Sequence, residues 1–78
     1  MEKDVYKIMG EIWKLAKKYI PISKTMSDKE WKNFMDENTS IYKSTEDKPD
    51  YYREMTSKML LGVMDLIDGM YKEGREND

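Results

Sequence analysis

Met26-Ser27-Asp28-Lys29-Glu30-Trp31 is the stretch from which the rest of the chain can be read. Ser27 and Glu30 form S-x-x-E, the capping box that opens a helix. The Ser27 side chain is placed to accept from the Glu30 backbone N–H, and the Glu30 carboxylate to accept from that of Ser27. Met26 before the cap and Trp31 at the fourth helical position supply the matching hydrophobic staple. A cap of this kind contributes about 1 kcal/mol, so its main effect is to set where the helix starts. Trp31, Phe34, Met35, Asn38, Ile41 and Tyr42 then keep to one face, which predicts a helix over 28–43. Asn38-Thr39-Ser40 is a run of weak helix formers, where fraying or a bend is expected.

Working outward, Pro21 and Pro49 bound this segment and leave one helical pattern on each side. Toward the N-terminus, Val5, Ile8, Met9, Ile12, Leu15, Ala16 and Tyr19 recur at spacings of three and four, flanked by Tyr6, Trp13 and Ile20. Asp4 near the start and Lys17-Lys18 near the end suit the helix dipole. Pro21 disfavours helical geometry at Ile20, so a helix over about 4–20 is predicted. Toward the C-terminus, Ser44 to Lys48 is a polar turn, with Asp47 or Lys48 as cap and Pro49 at the first helical position. Tyr52, Met55, Met59, Val63, Leu66, Ile67 and Met70 then form a stripe, flanked by Leu60, Met64 and Tyr71. The predicted helix covers 50–72, with Gly74 as its stop and a charged tail over 73–78. Gly62 and Gly69 suggest close approach by a neighbouring helix or ring. No stretch alternates with period two. The expectation is an all-α chain: one helical domain over 1–78, a three-helix bundle with antiparallel neighbours, short turns and a central third helix.

Composition narrows the function. The 78 residues contain no Cys and no His, which excludes a disulfide scaffold, a Cys/His zinc site, a thiol nucleophile and His-based proton transfer. The acids and bases that remain are carboxylates, Lys and Tyr. Asp65 and Asp68 share a helix face, and Glu46, Asp47 and Asp50 gather at a turn, but acidic residues on polar surfaces are ordinary. No EF-hand loop or phosphate-cradling glycine loop occurs. So small a bundle leaves little room for a pocket of about 300 Å³, the usual lower bound for a ligand. An enzyme is not expected, nor is a cofactor or metal. The charged N-terminus lacks the apolar run of a signal peptide, and no apolar stretch is long enough to span a membrane. The absence of Cys fits a reducing cytoplasm.

Charge is distributed unevenly. Residues 1–32 carry eight Lys against five acids, and residues 33–78 carry six basic against eleven acidic groups. The net charge is -2. Lys7, Lys14, Lys17 and Lys18 offer a phosphate-binding stripe, the alternative reading, but it lacks Arg, the favoured base reader, and a net-acidic chain argues against nucleic acid. Eight Met point instead to a protein partner, since Met is over-used at adaptable binding surfaces. The expected contact patch is Leu61, Met64 and Tyr71, with Asp65 and Asp68 as an acidic rim suited to a basic partner such as the nucleic-acid groove of an enzyme. A homodimer would also use the broad apolar arcs of the first and third helices.

Trp13-Lys14-Leu15-Ala16-Lys17-Lys18-Tyr19, a following proline, a capped helix from Trp31 to Ile41-Tyr42-Lys43, and Met59-Leu60-Leu61-Gly62-Val63-Met64-Asp65 together carry a resemblance. Over about 5–72 the chain resembles small uncharacterised helical proteins encoded by phages and mobile elements of Gram-positive bacteria. The resemblance implies a non-enzymatic binder, of a kind that includes inhibitors of host or defence enzymes such as CRISPR nucleases. It assigns no role to any residue.

Overall fold

A computed structural model describes residues 2–76, without the side chain of Glu76. Among these residues the chain is all-α, with three helices and no strand. They are α1 (Glu2–Tyr19), α2 (Asp28–Lys43) and α3 (Asp50–Glu76), and a 3-10 segment (Ile20–Thr25) follows α1. Asn77 and Asp78, the end of the expected tail, lie outside the described residues.

The capping box forms as read. The Glu30 N–H donates to Ser27 Oγ at 3.1 Å, and the Ser27 N–H to Glu30 Oε1 at 2.9 Å. Met26 is buried in the core, and Trp31 packs against the same cluster. Helix α2 runs to Lys43 through Asn38-Thr39-Ser40 without interruption. Interior packing outweighs propensity there, because Phe34 is fully buried and Ile41 packs on the core. The Phe34 ring centroid lies 5.1 Å from that of Tyr19 and 5.6 Å from that of Trp31.

The ends of α1 and α3 depart from expectation. Pro21 terminates the α-helix near the predicted place but does not release the chain into a loop. It stands in the first turn of the 3-10 segment, where its missing N–H is no loss. Ser23 anchors that segment: it is fully buried, and its hydroxyl donates to the Tyr19 carbonyl at 2.7 Å. At the other end, Pro49 stands just before α3, and its carbonyl accepts from the Arg53 N–H. Helix α3 does not stop at Gly74 but continues to Glu76, and no glycine adopts a positive φ. Gly74 has a steric purpose instead. A Cβ built on it would lie 1.9 Å from the Lys24 carbonyl oxygen and 2.6 Å from the carbonyl carbon. The close approach expected at Gly62 and Gly69 occurs here, since a Cβ at either of those positions meets nothing within 4 Å.

The buried side of α3 also differs from the apolar stripe. Its deepest residues are Tyr52, Thr56, Leu60 and Ile67, whereas Leu66 is 52% exposed and Met55, Met59 and Met70 are half-buried. Thr56 takes a core position because its hydroxyl donates to the Tyr52 carbonyl four residues back, at 3.0 Å. Thr45 is satisfied in the same way by the Tyr42 carbonyl, at 2.6 Å. Contacts near both ends of α3 tie it to the first part of the chain. The Tyr52 hydroxyl donates to the Asp4 carbonyl at 2.7 Å, and Gly74 faces Lys24.

Gly74→Ala should destabilise the protein by about 2 kcal/mol, although Ala is the better helix former. Gly69→Ala, which meets open space, should stabilise it by up to about 1 kcal/mol. Urea denaturation of the two variants reads both signs.

Candidate protein-binding surface

An exposed apolar surface lies along α1 and α3. Its origin is a mismatch between arcs. Apolar residues cover about half the circumference of α1, wider than the stripe a single packed neighbour requires. Ile8, Ile12, Leu15, Ala16 and Tyr19 take the interior, which leaves Tyr6, Met9 and Trp13 outside. Trp13 is 65% exposed. On α3, Leu66 and Tyr51 are left out in the same way.

Between the two helices runs an open groove of about 470 Å³, walled by Met9, Gly10, Trp13 and Ala16 on one side and Met59 and Val63 on the other. No charged side chain lines it. A second cleft of about 410 Å³ continues along α3 from Met59 to Tyr51, edged by Glu54 and Lys58. Both are open surface grooves rather than enclosed pockets of the kind that surrounds a small ligand. Contiguous exposed apolar surface of this kind marks interaction sites more often than isolated apolar residues do.

The patch expected from sequence is placed differently. Leu61 is exposed, at 48%, beside a small cleft of about 110 Å³ against Asn38 and Tyr42. Met64 and Tyr71 are half-buried and pack on the core. Tyr71 stacks on Trp31 with centroids 4.9 Å apart and planes 5° from parallel. Its hydroxyl donates to Asp28 at 2.9 Å, and the Arg75 guanidinium lies over its ring while pairing with the same carboxylate. Asp68 pairs with Lys72 at 3.0 Å, and Asp65 is exposed with no ion pair among the described residues. Of the expected apolar trio, Leu61 is thus exposed while Met64 and Tyr71 are drawn partly into the core. Helix α2 draws Tyr71 into a stacked, hydrogen-bonded position that spacing on α3 alone does not reveal.

The lysine stripe is divided as well. Lys14 and Lys18 share a groove of about 340 Å³ between α1 and α2 with Glu11 and Glu37. Lys18 pairs with Glu37 at 2.8 Å. Lys7 borders a polar recess with Asp4, Glu11, Asp47 and Lys48. Lys17 stands apart, its Nζ 6.0 Å from the Trp13 ring centroid. Carboxylates thus intersperse the lysines. Among the described residues no group of three or more carboxylates converges to hold a metal ion, and no helix is long and apolar enough to cross a membrane.

Two ion pairs couple the surface to stability. The Lys18 ammonium, bonded to Glu37, holds the Glu37 carboxyl below the usual carboxylate range, and the Tyr19 hydroxyl that also donates to it adds to the effect. Lys48, 3.1 Å from Asp4, lowers the Asp4 carboxyl by hydrogen bond and charge. Carboxyls lowered in the folded state stabilise it above their ordinary pKa, and that contribution is lost as acid carries the pH down through the lowered values. Urea midpoints should therefore fall as pH drops below about 4.5, and Glu37→Gln should make that fall shallower. Burial, followed by the neighbouring Glu37, raises the Tyr19 phenol, so its contribution persists below about pH 10 and is lost above it.

No protein-family model matches the chain, and comparison with curated proteins and with solved structures finds no significant match to either.

Proposed function

We propose that the chain is a non-enzymatic protein-binding module whose contact surface is the α1/α3 face. The observation that carries this reading is the apolar groove of Met9, Trp13, Met59 and Val63, continued by exposed Leu66 and Tyr51. The three helices form a bundle with antiparallel neighbours in this reading. Supporting it, Lys18 near the end of α1 pairs with Glu37 on α2, and Asp28 at the start of α2 pairs with Arg75 near the end of α3. Helices α1 and α3 then run in one direction, a reading that the Asp4–Tyr52 and Lys24–Gly74 contacts support.

A binding rather than catalytic role agrees with a chain that has neither His nor Cys. It also agrees with carboxylates such as Asp4, Glu37 and Asp68 that are occupied by lysine partners at the surface. The resemblance to phage and mobile-element proteins adds a setting: a cytoplasmic modulator of a host or defence enzyme.

Capture from a bacterial lysate by the immobilised chain and by Trp13→Glu tests the surface. Trp13 is exposed, so the variant should keep its circular dichroism and melting temperature. Proteins retained by the wild type should be depleted at least tenfold on Trp13→Glu and unchanged on Leu61→Glu. Equal retention by wild type and Trp13→Glu removes this face from the proposal.

A further inference from the structure

We infer that the occupant of the α1/α3 face is a second copy of this chain, related by a two-fold axis that runs parallel to the helices and lays α1 of each copy over α3 of the other. The inference rests on the protein-binding reading of that face. Three features of the surface make it complementary to itself.

The first is charge. Of the α1 lysines, Lys7, Lys14 and Lys18 border other clefts, so the α1 charge beside Trp13 is that of Lys17, while α3 presents the exposed carboxylate of Asp65. A two-fold axis along the helices sets α1 against α3 of the other copy and so pairs opposite signs. The perpendicular axis sets α1 against α1 and α3 against α3, pairing like with like.

The second is level. Within one copy, Asp4 of α1 faces Tyr52 of α3, 48 positions later, and Lys24 of the 3-10 segment that follows α1 keeps nearly the same offset to Gly74. An axis parallel to the helices preserves level, so the same offset applies between copies. Lys17 of one copy comes level with Asp65 of the other. Both are exposed, and neither makes an ion pair among the described residues of its own chain.

The third is shape. Trp13 stands out from its own surface at the level of residue 62. Residue 62 is Gly, exposed, with open space where a side chain would be. It lies beside Met59, Val63 and Leu66, so this turn of α3 leaves room for the indole of the other copy against apolar neighbours. The side of the molecule is also large enough. At 45 by 17 Å it presents on the order of 800 Å², what each partner gives in a standard interface.

Sedimentation velocity of the purified full chain over roughly 5 to 500 µM tests this. The wild type should approach twice the single-chain mass at the upper end. Trp13→Glu and Gly62→Leu should stay monomeric with unchanged helical circular dichroism. Lys17→Glu should weaken the dimer about tenfold, and adding Asp65→Lys should restore it. A wild type that is monomeric throughout overturns the inference, as does a dimer indifferent to Trp13→Glu and Gly62→Leu. A double variant no tighter than Lys17→Glu overturns the stated axis. If the wild type is monomeric but Trp13→Glu still abolishes capture of a lysate protein, the second copy is excluded and the protein-binding face stands. If capture is indifferent too, both readings fall.

Discussion

The carbonyl oxygen of Lys24 lies where a side chain on residue 74 would have to be. That exclusion organises the molecule. It lets the 3-10 segment lie directly on the last turns of α3, which holds Ser23 fully buried and Met26 in the core. With Met26 inside, Ser27 emerges at the surface in extended geometry and starts α2. The path of α2 then brings Trp31 onto Tyr71 and Phe34 between Tyr19 and Trp31. One missing methyl thus connects the end of the chain to the turn between its first two helices.

The opposite end is held by different chemistry. Lys48 pairs with Asp4, and the Tyr52 hydroxyl reaches the Asp4 backbone. Polar anchors suit this end because the Ser44–Lys48 turn brings few apolar side chains, and Thr45 there is buried only by bonding its hydroxyl to its own backbone. With a steric lock at one end and hydrogen bonds at the other, the middle of α1 and α3 is left to apolar contact alone. The uncovered groove lies there.

The sequence was most legible where a signal is local. The capping box and the full extent of α2 follow from six residues and the periodicity after them. The ends of α1 and α3 were less legible, because Pro21 and Gly74 each have two structural uses. A proline that ends an α-helix also begins a 3-10 turn, and a glycine that commonly stops a helix also admits a crossing backbone. Only the partner segment decides between them. The same limit applies to the surface. Spacing identified an excess of apolar residues on α1 and α3 but not which of them α2 covers. Tyr71 therefore read as exposed, while Leu66 read as core. Thr56 carried no apolar signal, because its burial depends on a hydroxyl turned back to its own helix.

The two tryptophans occupy opposite situations. Trp31 is half-buried, stacked flat against Tyr71 and close to Phe34, whereas Trp13 is open to solvent beside a lysine. Their emission should therefore separate: the indole of Trp31 toward the blue, and that of Trp13 toward the red. Unfolding shifts the first, and covering of the α1/α3 face shifts the second. The chain contains its own pair of optical probes, one for the integrity of the interior and one for occupancy of the surface, and replacing either tryptophan by phenylalanine isolates the other.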